Sequence, residues 1–293
     1  MSLRAGVVSF QPPESLVSLC SSLVAQGCHV SVVDNGSSSG AEVLAACERA
    51  GADVVRLGRN AGVSGALSAL VDMVTDEEWL LTFDQDSAVT DDFVTRLTSS
   101  PAVADPRVAV VGPMVRDERS GVLLQGDAAA TAVYDVLGVI TSGSLCRTRA
   151  LHQVGVRSDL FIDYVDWDLC LRLRAAGWRV VVEPSAVMLH SIGAARTHRV
   201  AGGLTVRASH HSADRQYYRY RNFLLLARAG TLRAEPRWAL RHAAALSWGP
   251  LKIAILERDR GAKLRAIATG VRDGLRGRGG PRPTSGDARP SRA

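Results

Sequence analysis

The chain has 293 residues, 46% hydrophobic and 22% charged, with a formal net charge of +6. That composition suits an ordinary soluble globular protein with one large domain, or a domain and an appendage. No run approaches the roughly 20 apolar residues that span a bilayer. The five cysteines are scattered and hold no C-x-x-C pair, which excludes a zinc ribbon and fits free thiols in a reducing cytoplasm.

The chain opens directly into "RAGVVSF", so no secretory leader is expected. "GVVSF" (6–10) predicts a buried strand, and Pro12-Pro13 opens a helix to about Gln26. "HVSVVD" (29–34), "DVVRL" (53–57) and "WLLTF" (79–83) predict three more strands, with helices across 41–50 and 62–74 between them. Strands without polar alternation, each followed by a helix, predict a mostly parallel sheet covered on both faces. Ligands of such sheets gather at the carboxyl ends of the strands, where Asp34, Asp84 and Gln11 fall. A helix follows from about Asp92, then a strand at "VAVVG" (108–112) and a strand, turn and short helix in "VLGVITSGSLCRTRAL". "DWDLCLRLRAAGW" (166–178) reads as a helix, "RVVVEP" (179–184) as a strand ended by its proline, and "AVMLH" (186–190) as another strand. A helix follows from Tyr217.

Four features along this frame can carry chemistry. In "LLTFDQDS", Asp84 and Asp86 project to one side of an extended segment, where carboxylates suit Mg²⁺ or Mn²⁺. The competing reading of a lone D-x-D is a solvated turn. Asp34 leads into an Asn-Gly-Ser turn, able to meet a base N–H or simply to form a structural turn. "GRNAGVSGA" (58–66) sets Asn60, Gly62 and Gly65 before a helix start, which fits either a ligand approaching the backbone or a tight turn. "FIDYVDWDLCLR" (161–172) groups Asp163, Asp166 and Asp168 with Phe161, Tyr164 and Trp167, partly as helix capping and partly as a polar site with apolar walls.

"VVDNGSSSG", "GRNAGVSGAL", "LLTFDQDS", "TSGSLCR", "FIDYVDWDLCLRLRAAGW", "VMLHSIG" and "YYRYRNFLLLAR" occur in that order between Val7 and Arg228. Taken together the set is similar to glycosyltransferases of family 2 with the GT-A fold, and within them resembles bacterial rhamnosyltransferases. The resemblance implies an α/β, Rossmann-like, mostly parallel sheet flanked by helices. It implies an inverting, metal-dependent transfer of a sugar, L-rhamnose from dTDP-L-rhamnose, to a hydroxyl of a glycan or lipid-linked acceptor in cell-envelope polysaccharide synthesis. A UDP-sugar-dependent transferase, or a non-catalytic nucleotide-sugar-binding protein of the same fold, is the alternative. By the same resemblance Asp34, Gln11, Asn60, Gly62 and Asp84 serve the donor, and Asp86, Asp84 and His190 hold Mg²⁺ or Mn²⁺. Asp166 is the general base, and Ser142, Gly143, Trp167 and Asp168 lie on the acceptor side. Gln11 stands where relatives commonly carry a smaller side chain before proline.

From Thr231 onward there are 14 Lys and Arg against 5 Asp and Glu, so the basic character belongs to the C-terminal part. The division expected is 1–230 for the transferase domain, 231–278 for a basic amphipathic helical extension and 279–293 for a disordered tail. Leu264, Ile267, Val271 and Leu275 recur at helical spacing among cations, and Trp238, Leu246, Trp248, Leu251 and Ile255 form an apolar stretch. Such a segment fits an anionic membrane surface, the catalytic domain, or a second subunit in a homodimer. No nucleic-acid recognition module is present. The expected location is the cytoplasm, peripheral at the inner face of the plasma membrane.

Overall fold

The computed structural model describes residues 3–75, 78–118, 120–190, 196–199, 205–208 and 212–283, with the backbone alone for 196–199 and 205–208. The first half alternates as expected: β1 (Leu3–Ser9), α1 (Ser15–Ala25), β2 (His29–Asp34), α2 (Ala41–Arg49), β3 (Asp53–Arg56), α3 (Gly62–Asp72) and β4 (Trp79–Asp84). β1 pairs in parallel with β2 and β4, and β2 with β3. The register sets Ser9 beside Asp34 and Val8 beside Asp84, so both acids flank the carboxyl end of β1.

The second half is mixed. β5 (Ser87–Val89) is followed by α4 (Phe93–Thr98), α5 (Pro101–Ala104), β6 (Val108–Asp117), β7 (Leu123–Gln125), β8 (Tyr134–Asp135) and β9 (Ser144–Arg147). After α6 (Thr148–Val154) and α7 (Val165–Ala175) comes β10 (Arg179–His190). The sheet runs β3-β2-β1-β4-β9-β6-β10-β5, with β9 antiparallel to β4 and β6, and β10 parallel to β6. β10 does not end at Pro184. It continues to His190 across a register shift between Glu183 and Val187, because an unpaired bulge residue needs no ladder N–H. A two-stranded hairpin, β11 (Arg196–Arg199) and β12 (Thr205–Ala208), leads to α8 (Ala213–Arg228), α9 (Pro236–Leu256) and α10 (Arg260–Leu275). Residues 191–193 of the "VMLHSIG" motif lie outside the described residues.

Strand residues alternate between two cores. Val7, Val32, Leu81 and Phe83 pack with Leu16, Leu19, Leu23, Phe93 and Leu97 of α1 and α4 on one face. Val33, Leu80, Val110 and Val180 pack with Leu70, Leu151, Leu169 and Leu173 of α3, α6 and α7 on the other. All five cysteines are free and buried within this framework.

The C-terminal helices close on α8. Gly270 and Gly274 let α10 approach so nearly that an added Cβ would sit 2.4 Å from the Tyr217 carbonyl and 2.8 Å from that of Arg221. Ile267 of α10 is buried with Tyr220, and Leu264 and Val271 pack on the same cluster. α9 survives an internal Pro250 for a local reason. Proline has no N–H for the carbonyl four residues earlier, and that carbonyl, of Leu246, accepts the Tyr220 hydroxyl at 2.7 Å instead. Gly249 makes the room, since a Cβ there would lie 2.2 Å from that hydroxyl.

The disorder expected of 279–293 does not hold as far as Pro283. Gly280 N–H donates to Asp159 O at 2.6 Å, the buried Arg221 donates to Gly280 O, and Arg282 N–H donates to the Tyr218 hydroxyl at 2.7 Å. Residues 284–293 lie outside the described residues.

Candidate active site

At the carboxyl ends of β1 and β4 opens a cleft of about 720 Å³. Its lining includes Asp84, Gln85 and Asp86 on one side, Asp163–Trp167 on another, and His190, Arg215, Arg219 and His242. The D-Q-D turn is anchored by its middle residue. Gln85 Oε1 accepts from Ser9 Oγ (2.9 Å) and Phe10 N–H (2.8 Å), while its Nε2 donates to Phe10 O (3.0 Å). Gln85 is thereby bound to the end of β1, and the two aspartates are the free groups of the turn. β5 then turns back to pair antiparallel with β10, setting Ser87 opposite His190.

That pairing brings His190 Nδ1 to 4.0 Å from Asp86 Oδ1. The Nδ1 atom is buried and has no hydrogen-bond partner. Among the described residues no three His, Cys, Asp or Glu side chains form a ready-made metal cage. The set of two carboxylates and one unpartnered imidazole nitrogen instead fits a divalent cation that takes its other oxygens from a ligand. Burial and the Asp86 charge push Asp84 up to about 6, against the pull of His190 and Arg215.

Across the cleft, Asp166 opens α7. Its Oδ1 accepts the Trp167 N–H at 2.8 Å, and burial pushes its carboxyl up to about 6. The loop before it is strained: Phe161, Asp163 and Tyr164 have φ of 66°, 64° and 63°. Asn222 holds it by donating to the carbonyls of Leu160 (2.9 Å), Ile162 (2.7 Å) and Asp163 (2.9 Å), and Arg221 by donating to Leu160 O (2.8 Å). The "YYRYRN" motif thus shapes the loop that carries Asp166. Asp163 is paired with Arg215 at 2.5 Å.

Several expected residues have other parts. Asp168 is 1% exposed and paired with Arg172 at 2.7 Å and Arg157 at 3.5 Å. Two residues apart on a helix, Asp166 and Asp168 do not share a face, so Asp168 is turned away from the cleft that Asp166 lines. Ser142 is fully buried; its Oγ accepts the Asp84 N–H at 3.1 Å and lies 2.6 Å from Ser87 Oγ, bracing the turn from beneath. Gly143 (φ 74°) packs where a Cβ would meet Met188 Sδ at 2.7 Å. Gly62 is a seat for the strained loop rather than for a ligand: a Cβ would lie 2.3 Å from Phe161 O, and Ser64 N–H donates to that same oxygen at 3.1 Å. Gln11 spends its amide on Ser38 Oγ (2.9 Å) and Ser39 N–H (3.1 Å), latching two loops together.

Asp34 is 4% exposed and accepts from the N–H and hydroxyl of Ser37. Asn60 accepts from Asn35 (3.1 Å) and Gly62 N–H (2.9 Å) and lines a neighbouring cavity of about 800 Å³ with Phe161, Tyr218 and Arg282. Trp167 does line the cleft, in an aromatic group with Trp238 (4.7 Å) and His242 (5.7 Å). Burial lowers His242 below the ordinary histidine value; its Nδ1 donates to Trp238 O at 3.2 Å.

Sequence reasoning missed Arg215, Arg219 and His242. The signal for the first two was their spacing: four apart on α8, they share one face. His242 carries no local signal, since only the return of α9 over α7 brings it to the cleft.

Over residues 6–151 the sequence matches glycosyl transferase family 2. It is 28% identical over 246 aligned residues to dTDP-rhamnosyl transferase RfbF of Shigella flexneri, covering 77% of this chain and 80% of that protein. The fold is shared with S. aureus TarS 1-349 in complex with UDP-GlcNAc, at a TM-score of 0.63 and 13% identity over 94% of this chain and 82% of that one. It is shared also with GalNAc-T7 bound to UDP, GalNAc and Mn²⁺, at a TM-score of 0.55 and 12% identity over 65% of this chain. The match spans 44% of the GalNAc-T7 chain. At these identities the two structures establish the GT-A fold and nothing further.

Proposed function

From the premise that the chain is a glycosyltransferase belonging to family 2, we propose that it is an inverting, divalent-metal-dependent rhamnosyltransferase. It moves L-rhamnose from dTDP-L-rhamnose to a hydroxyl of a glycan or lipid-linked acceptor in cell-envelope polysaccharide synthesis, on the cytoplasmic face of the plasma membrane. The observation that carries this reading is one cleft with Asp84, Asp86 and His190 on one side and Asp166 on the other. The similarity to a dTDP-rhamnosyl transferase supports the donor.

Asp86 and His190, with Asp84 behind them, would hold Mg²⁺ or Mn²⁺ against the donor diphosphate. A cation there supplies Lewis-acid stabilisation of the charge left on the departing nucleotide. Arg215, which lines the cleft beside its partner Asp163, would meet the same phosphates. Asp34 would take a base N–H by exchanging its bond to Ser37, while Asn60 lines the adjoining cavity.

Asp166 is the base by elimination as well as by position. Asp163 is held by Arg215 and Asp168 by Arg172, whereas Asp166 has no salt bridge among the described residues. A carboxyl near 6 is ionised at neutral pH and still basic enough to take the acceptor proton. One base opposite the leaving group gives inversion at the anomeric carbon.

The test is a thermal-shift panel of dTDP-, UDP- and GDP-sugars with and without Mn²⁺ or Mg²⁺, followed by donor turnover. Metal-dependent stabilisation by dTDP-L-rhamnose is expected. Stabilisation by UDP-sugars alone replaces the donor assignment, and donor binding without sugar release in any acceptor screen replaces the enzyme with a binding protein. In Asp166→Asn, donor binding should persist while transfer falls by about 10²–10⁴. Full transfer in that variant contradicts the assignment of the base.

A further inference from the structure

α10, whose apolar positions suggested an interfacial helix, is covered by α8. α9 is different. One of its faces is buried through Trp238, Leu246 and Ile253, while Leu240 (72% exposed), Trp248 (61%), Leu251 (50%) and Ile255 (67%) stand in solvent. The intervals 240, 248, 251 and 255 fall at near-multiples of the helical turn, so these four side chains share one stripe on the side away from the buried one.

The charge around the stripe has one sign. α9 contains no Asp or Glu, and Arg237, Arg241 and Lys252 on it are exposed, followed by exposed Arg258 and Arg260. The acids at its two ends are engaged elsewhere: Glu235 with Arg174 at 3.0 Å, and Glu257 with the buried Lys263 at 2.7 Å. Asp259 is the exposed acid nearby. No helix among the described residues is long and apolar enough to cross a membrane, so α9 lies on a surface if it meets lipid at all. A second copy of the chain is a poor occupant, because two-fold pairing would set Arg and Lys rows against like rows with no acid on the helix to answer them.

We propose that the exposed face of α9 seats the protein on an anionic bilayer. Trp248, Leu251 and Ile255 enter the boundary between headgroups and acyl chains, and Arg237, Arg241 and Lys252 meet lipid phosphates. This deepens the peripheral placement of the proposed transferase by naming its surface, and rests on none of the transfer chemistry.

The test uses the full chain, sedimented with vesicles of phosphatidylcholine alone and of equimolar phosphatidylcholine and phosphatidylglycerol. Binding to the anionic vesicles only is expected, weakened by salt, with Trp248 fluorescence shifted to the blue; the shift should vanish in Trp248→Phe. Arg241→Glu and Lys252→Glu should each reduce partitioning by about fivefold or more, and Leu251→Ser by about tenfold. All should leave the thermal transition and its response to dTDP-sugars unchanged, which separates failure here from failure of the donor reading. Equal binding to both vesicles, or to neither, overturns the proposal. So does a dimer in sedimentation equilibrium that Leu251→Ser dissolves in the absence of lipid.

Discussion

Asp84 and Asp166 are both pushed up to about 6 by burial, and both must be ionised for the chemistry proposed. Two consequences follow at the level of these side chains. Activity should fall by about a hundredfold per pH unit well below 6, because two carboxyls must each lose a proton. Stability should run the other way. The folded carboxyls bind protons more tightly than the unfolded ones at 3.8, so their contribution is fully present below about pH 4 and is lost as pH rises through 6. Asp166→Asn should therefore melt a few degrees higher than the native protein at pH 7.5, with the gain shrinking at pH 5. Differential scanning calorimetry at the two pH values checks this; an equal gain at both, or a loss at 7.5, contradicts it. The ordered motifs single out Asp84, Asp86, Asp166, Trp167 and His190, and all five line one cleft, because residues at strand ends and helix starts face the same crevice. Ser142, Gly143, Gly62 and Asp168 were not legible, because a motif gives residue type and spacing but not the direction in which a side chain is turned. For Asp168 the helix period alone was enough to separate it from Asp166.

At the scale of elements, the first four strands and their helices were plain from β-branched runs and turn residues. The departures come where tertiary structure satisfies a backbone group that local sequence leaves open. β10 passes Pro184 by a bulge, and α9 passes Pro250 because Tyr220 takes the freed Leu246 carbonyl. Tyr220 and Leu246 are each 8% exposed, so Tyr220→Phe should strand that carbonyl out of water. The expected loss is about 1–3 kcal/mol, read as a lower urea midpoint at unchanged slope. An unchanged midpoint would mean that water reaches the carbonyl. The strained loop 161–164 has the same logic: its positive φ values are invisible in "FIDY", and Asn222, about sixty residues later, supplies the restraint.

For the molecule as a whole, the sheet, the cleft and the C-terminal helices form one connected construction. α8 carries Arg215 and Arg219 into the cleft, pins the Asp166 loop through Arg221 and Asn222, and receives α10 along its length. α9 contributes His242 to the cleft from one face and leaves its apolar stripe open on another. The basic extension is thus part of the site, which the boundary at 231 drawn from composition concealed. Charge asymmetry marks a surface; it says nothing of where helices return.

The account stands or falls on whether Asp86 and His190 would hold a divalent cation when the donor nucleotide is bound. Calorimetric titration of Mn²⁺ into the protein saturated with dTDP tests it most directly. The native protein should bind one equivalent, and Asp86→Ala and His190→Ala should each weaken that binding by about tenfold or more without lowering the melting temperature of the metal-free protein. Undiminished Mn²⁺ binding in both variants would contradict it.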